Sequence, residues 1–469
     1  MTKKVLLLLM LFIQCNVLWS ANKELDNALI AYYVTDDKGH VIAHKEEQKN
    51  MTPASITKTL TTATVLEMYG GDHRFRTTLQ YDGTIGKDGT LNGNVYIKGG
   101  GDPTLGSCYF DTDRNLFLQQ WMDAVKQAGI QSVNGRVIAD ESYFDREGVS
   151  AKWIREDIGN YFAAGAYGVS VYDNRYILYL KSGGVGSPAE IVSTDPEMKE
   201  MRFISHVKAA ANTKDSVYIN GEPFSMNRTL FGTMPANQTA FAVKGDIPDP
   251  ALYLATLVRN ELIRKGVSVK GDATSYRLLD EQNEWKETRR TDLCVTESPA
   301  LSEIVTVTNH ESNNMFAEHL IKHIGVKGKG GSTRYGVWAL KDYWTQMGVS
   351  TQGVMMQDGS GLSPVNAITP RFFVDVLNKM RNSKEFTTFE SSLMLAGDPE
   401  SSSFLANTSL KQKTRFKSGS FSGVLCYVGY VELRNKKYTF AVMINHFDSP
   451  QSVAKAEIEN ILLQVIPRQ

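Results

Sequence analysis

Apolar and polar positions alternate with two different periods along this chain, and the change of period divides it. Residues 28–48, ALIAYYVTDDKGHVIAHKEEQ, read as two strands about an Asp-Asp-Lys-Gly turn, because runs rich in β-branched and aromatic residues flank a turn-forming cluster. Residues 52–69, TPASITKTLTTATVLEMY, follow as a helix. At the far end, residues 414–447, TRFKSGSFSGVLCYVGYVELRNKKYTFAVMINHF, read as strands joined at an RNKK turn, and residues 449–466 close the chain as an amphipathic helix. An apolar N-terminal hairpin and an apolar C-terminal meander predict one antiparallel sheet with helices over its faces, an α+β unit that holds both termini.

Between them the texture changes. Stretches such as LNGNVYIKGGGDPTL, VNGRVIADESYF and YDNRYILYLKSGG break short apolar runs with Gly, Asn and Asp. Helical periodicity returns at residues 248–267 and strongly after Ser298. The pattern predicts an outer unit made of residues 22–75 and 286–469, interrupted by a β-rich insertion at 76–285 that comprises two subdomains.

Composition then narrows the setting. Two lysines, an apolar run from Val5 to Ile13 and small residues at Ser20 and Ala21 make residues 1–21 a secretory signal peptide. Cys15 is a candidate for lipidation, although Phe12-Ile13-Gln14 is a poor sequence before a lipidated cysteine. No later run approaches the roughly 18 apolar residues of a membrane span, so no transmembrane segment is expected in the exported protein. Cys108, Cys294 and Cys426 form no paired motif, which argues against a disulfide framework while allowing one bridge. Lys plus Arg equals Asp plus Glu at 51 each, without a basic block, which argues against nucleic acid as a partner.

Three short motifs carry candidate chemistry. Ser55 and Lys58 lie one helical turn apart at the start of the 52–69 helix, so the lysine amine can reach the serine hydroxyl. The spacing alone is weak, since Ser20–Lys23, Ser205–Lys208 and Ser452–Lys455 share it. Ser312-Asn313-Asn314 sits between two helical runs, and Lys417-Ser418-Gly419 sits on a strand. Together these give S-x-x-K, S-x-N and K-[ST]-G in order, the set used by penicillin-binding proteins and class A β-lactamases. Lys181-Ser182-Gly183 and Ser225-Met226-Asn227 are decoys within the insertion, in the wrong order. His319 and His323 have helical i, i+4 spacing but no intervening glutamate of a zinc-protease motif, so no metal and no cofactor are expected.

ASITK, SNNMFAEHL, DGSGLSPVNAITP (358–370), KSGSFSGVLCYVGY and GGGDPTL (99–105) give the chain a specific resemblance. It is similar to the D-alanyl-D-alanine carboxypeptidase/endopeptidase family, the class C low-molecular-mass penicillin-binding proteins of the type-4 group. Over half of the chain separates the first motif from the second, as in that family and unlike β-lactamases. Ser418 stands where threonine is usual and keeps the hydroxyl; Cys426-Tyr427 replaces smaller apolar residues.

The resemblance implies a transpeptidase-like fold shared with serine β-lactamases and a periplasmic serine peptidase that acts on peptidoglycan stem peptides and crosslinks and is acylated by β-lactams. Ser55 is then the nucleophile, Lys58 its base, Ser312 a proton shuttle and Asn314 a holder of the peptide amide. Lys417, Ser418 and Gly419 bind the substrate's terminal carboxylate end, and the backbone N–H groups of Ser55 and Ser420 form the oxyanion hole. Asp140 is expected to meet the free amine of a diaminopimelate side chain. A β-lactamase and a catalytically weak peptidoglycan-binding protein are the alternatives. No recognisable deacylating glutamate loop supports the first, and covalent labelling by penicillin distinguishes most forms of the second.

Overall fold

The computed structural model describes residues 23–466 except 111, 212 and 399–402. The expected signal peptide, with Cys15, lies outside the described residues.

The two ends of the chain meet in one six-stranded sheet. Its order is Met394–Leu395, Thr414–Phe421, Val424–Leu433, Lys436–Asn445, Leu29–Asp36, Val41–Lys45, antiparallel throughout. Leu29 pairs with Asn445 and Asp36 with Tyr438, so the first strand is held by the last. The turns form where their residues permit. Arg434 and Asn435 both take positive φ, as a two-residue hairpin loop requires. Asp36 accepts hydrogen bonds from the Lys38 and His40 amides, closing the N-terminal hairpin.

Strand alternation sends neighbouring residues to opposite faces. Val424, Cys426, Val428 and Tyr430 join Ala441 and Met443 in a core with the Thr57–Tyr69 helix, while Leu425 and Tyr427 join Val442 and Ile444 under the Gln451–Val465 helix. Both faces are therefore dry, and truncating a fully buried ring such as Phe440 to alanine costs about 3–5 kcal/mol. The Thr57–Tyr69 helix has five threonines, poor helix formers on their own. Packing around the helix holds it, and the Thr59, Thr62 and Thr64 hydroxyls donate to carbonyls one turn back, so no polar group is stranded by burial.

The middle of the chain builds separate cores. A five-stranded mixed sheet, in the order Ala273–Ser275, Val137–Asp140, Val95–Gly99, Arg76–Asp82, Arg290–Glu297, packs with the Leu116–Gln127 and Pro250–Arg264 helices. A second cluster, including Tyr176, Leu178, Leu230 and Val243, is built on the three- and four-stranded sheets of residues 175–246. The first of these sheets runs to Glu297, past the boundary expected at residue 285, because Arg290–Glu297 pairs antiparallel with Arg76–Asp82. Cys108, Cys294 and Cys426 are all free thiols, so the one bridge that the sequence allowed is not formed among them. No helix among the described residues is long and apolar enough to cross a membrane.

Candidate active site

Ser55 sits in a single 3-10 turn, Ala54–Ile56, that leads into the Thr57–Tyr69 helix. Ala54 is held at φ 50 and Ser55 is half-buried, while Lys58 is wholly buried on the next turn. Lys58 Nζ lies 3.0 Å from Ser55 Oγ, 2.6 Å from Asn314 Oδ1 and 2.8 Å from the Ser360 carbonyl. Burial pulls the ammonium down to about 7, against the opposing pull of Asp358 and Glu318. Burial thus favours the neutral amine, the state in which a lysine takes a proton from a hydroxyl.

Ser312 lies between the Leu301–His310 and Asn314–Gly328 helices and takes φ 53. Asn313 caps the second helix by accepting the Phe316 amide, which fixes Asn314 at its first turn. Asn314 Oδ1 faces Lys58, and its Nδ2 donates to the Phe162 carbonyl at 2.7 Å. Lys417 Nζ donates to Ser312 Oγ at 3.0 Å and to the Ser418 carbonyl at 2.9 Å. Burial, and then the nearby Lys58 charge, pushes Lys417 well below the usual lysine range. Gly419 lets its strand touch the serine turn: a methyl there would stand 2.6 Å from Ser55 N and 2.7 Å from Ile56 N. Ser418 is half-buried and Ser420 exposed at the end of the same strand.

All three motifs thus converge, and the decoys stay away. Ser182 Oγ donates to the Pro235 carbonyl, Lys181 pairs at the surface with Glu190, and Ser225 accepts the Asn227 amide. Ser205 and Lys208 lie on two separate short strands, and Lys455 meets Ser403 rather than Ser452.

Asp140 lies at the end of the Val137–Asp140 strand of the insertion. Its carboxylate is buried and already occupied: Lys98 Nζ at 3.0 Å and Arg290 Nη1 at 2.6 Å meet Oδ2, and the Ser142 amide and hydroxyl donate to Oδ1. It ties strands of the insertion together. His319 and His323 are also used internally. One bonds the Ser170 hydroxyl and the other the Gly101 carbonyl, and burial lowers them to about 4 and about 3. Among the described residues no group of His, Cys, Asp and Glu could hold a metal ion.

The residues that sequence reasoning passed over lie behind Lys58. Glu318 accepts the Gly359 and Ser360 amides, and burial and the neighbouring Asp358 push its carboxyl up to about 7. Asp358 is fully buried and accepts from the Gly361 and Ser363 amides, Asn366 Nδ2 and Trp153 Nε1. An acid four residues after Asn314, on the same face of that helix, and the Asp-Gly-Ser-Gly sequence were the available signals.

Residues 17–465 match the D-Ala-D-Ala carboxypeptidase 3 (S13) family. A D-alanyl-D-alanine carboxypeptidase of Actinomadura sp. (strain R39) is 28% identical over 444 residues, covering 92% of this chain and 80% of that protein. The crystal structure of penicillin binding protein 4 (dacB) from Haemophilus influenzae superposes with a TM-score of 0.81 at 19% identity, covering 94% of this chain and 97% of that one. Its complex with a novel β-lactam gives 0.76 at 18% identity, with the same coverage. A predatory peptidoglycan endopeptidase from Bdellovibrio bacteriovorus gives 0.50 at 16% identity, covering 94% and 92%.

Proposed function

The chain belongs to the D-Ala-D-Ala carboxypeptidase 3 (S13) family, and from that premise we propose that it is an exported, periplasmic serine peptidase that cleaves D-Ala-D-Ala ends and crosslinks of peptidoglycan peptides. The observation that carries this reading is a wholly buried lysine amine 3.0 Å from the Ser55 hydroxyl.

Neutral Lys58 takes the Ser55 proton as Oγ attacks the carbonyl of the penultimate residue. Negative charge developing on that oxygen falls to the Ser55 and Ser420 backbone N–H groups. Ser312 gives its hydroxyl proton to the departing amine and takes one in turn from the Lys417 ammonium 3.0 Å away. Asn314, fixed by Lys58 and Phe162, aligns the substrate backbone. Two buried lysines do not hold full charge together, so a substrate carboxylate beside Lys417 and Ser418 supplies the anion that restores the Lys417 ammonium. Water then hydrolyses the acyl-enzyme. A β-lactam follows the same path to a Ser55 ester through its ring amide. The outer unit, residues 23–75 and 298–466, performs the chemistry, and the insertion walls the cleft through Trp153 and Phe162.

The test is release of free D-alanine from a pentapeptide ending in D-Ala-D-Ala and of monomeric stem peptides from a crosslinked dimer. Release from the pentapeptide by the wild-type protein and none by Ser55→Ala supports the reading. Equal release by both contradicts it.

A further inference from the structure

Lys58 has a particular problem to solve. A neutral amine has two N–H bonds and one lone pair, and it acts as a base only if the lone pair points at Ser55. Its other two neighbours are acceptors, Asn314 Oδ1 at 2.6 Å and the Ser360 carbonyl at 2.8 Å. When both N–H bonds go to these oxygens, the lone pair is left for the hydroxyl at 3.0 Å. The direction of the base therefore depends on how firmly the Ser360 carbonyl is aimed.

That carbonyl shares a planar peptide unit with the Gly361 N–H, so fixing one end fixes the other. The Gly361 N–H donates to Asp358 Oδ1 at 2.8 Å. Glu318 holds the two preceding N–H groups, those of Gly359 and Ser360. Asp358 is itself pinned: Asn366 Nδ2 meets Oδ1 at 2.8 Å, and the Ser363 amide and Trp153 Nε1 meet Oδ2 at 2.6 and 2.9 Å. Trp153 comes from the insertion and packs on Leu362 of the same loop. Gly361, at φ 82, permits the close turn, since a Cβ there would stand 2.0 Å from the Ala54 carbonyl.

We propose that Asp358 and Trp153 are positioning residues for the acylation step: the insertion's indole N–H fixes Asp358, Asp358 fixes the 360–361 peptide, and that peptide aims Lys58 at Ser55. The inference rests on the reading of Ser55 as nucleophile and Lys58 as base, and it makes the insertion a working part of the catalytic apparatus as well as a wall.

The experiment measures penicillin acylation of the full-length protein over a range of concentrations, separating initial binding from the acylation rate constant. Acylation of wild-type Ser55 is established first by digestion, so that failure of the underlying reading shows before any variant is compared. Trp153→Phe keeps an aromatic ring and removes the N–H. It is expected to lower the acylation rate constant about tenfold while initial binding stays within twofold. Trp121→Phe is the matched control, because it removes another buried indole N–H of the insertion, the one that donates to Thr296 Oγ1 at 2.8 Å. Its acylation rate constant is expected to stay at the wild-type value. Asp358→Asn adds a second readout. The charged groups around Lys58 are Asp358, Glu318 and Lys417, and removing the Asp358 charge takes away one that favours the ammonium. The variant is expected to acylate more slowly, with the acid limb of its rate profile moved to lower pH. A wild-type rate constant in Trp153→Phe, or an equal loss in Trp121→Phe, overturns the proposal.

Discussion

Lys58 and Lys417 are both buried, but their surroundings differ. Burial draws Lys58 down to about 7, and Asp358 and Glu318 keep it from falling further. With Lys58 as the proposed base, the neutral amine is the working form, and acylation is expected to rise as pH passes upward through about 7 and to fall away below it. Stopped-flow acylation between pH 5 and 9 measures the limb. Lys58→Ala should slow acylation about 100-fold or more for every acyl donor, since general-base assistance is lost. Among the described residues no anion offsets the burial of Lys417, and its Nζ bonds Ser312 and the Ser418 carbonyl. Lys417→Ala should therefore cost most for donors with a terminal carboxylate. Paired kinetics on a carboxylate-bearing peptide and its amide check this, and equal losses on both contradict it.

At the scale of elements, the site is a contact between a strand and a turn. Gly419 is the pinch point, because a Cβ would enter the space of the Ser55 and Ile56 amides. Gly419→Ala is expected to push the strand from the turn and reduce acylation about 100-fold, the usual scale for losing one oxyanion donor, with an unchanged far-ultraviolet spectrum. Loss of the spectrum along with activity would point to a folding role instead. These elements were legible in sequence because their information is local. Ser55 and Lys58 are one turn apart, Asn313 announces a helix start, and near-continuous apolar runs mark the 424–445 strands as covered on both faces. The support behind Lys58 was not legible, because it joins Trp153, Glu318 and Asp358 from separated segments whose meeting depends on the finished fold. The ion pairs of Asp140 were hidden for the same reason. Its partner Arg290 lies 150 residues away in sequence, and only the five-stranded sheet brings the two together.

Across the whole molecule, the insertion is bound to the outer unit through the helix that follows Ser312-Asn313-Asn314. Asn314 reaches Phe162, His319 reaches Ser170, Lys322 reaches Asp145 and His323 reaches Gly101. Both histidines are lowered by burial, so their neutral rings join the two parts at ordinary pH. Within the insertion, Asp140→Asn removes the buried partner of Arg290 and Lys98, at a cost of about 3 kcal/mol in stability. Denaturant melts are expected to shift while kcat/KM per folded molecule remains the same for peptides with and without a side-chain amine. A selective loss on the amine-bearing peptide would return Asp140 to the substrate site. All of this depends on one bond, the ester at Ser55. Intact-mass analysis of the protein after penicillin, followed by digestion, tests it most directly. The account requires a single adduct on the peptide containing Ser55, absent from Ser55→Ala. An adduct that persists in Ser55→Ala, or that maps to Ser182 or Ser205, would contradict it.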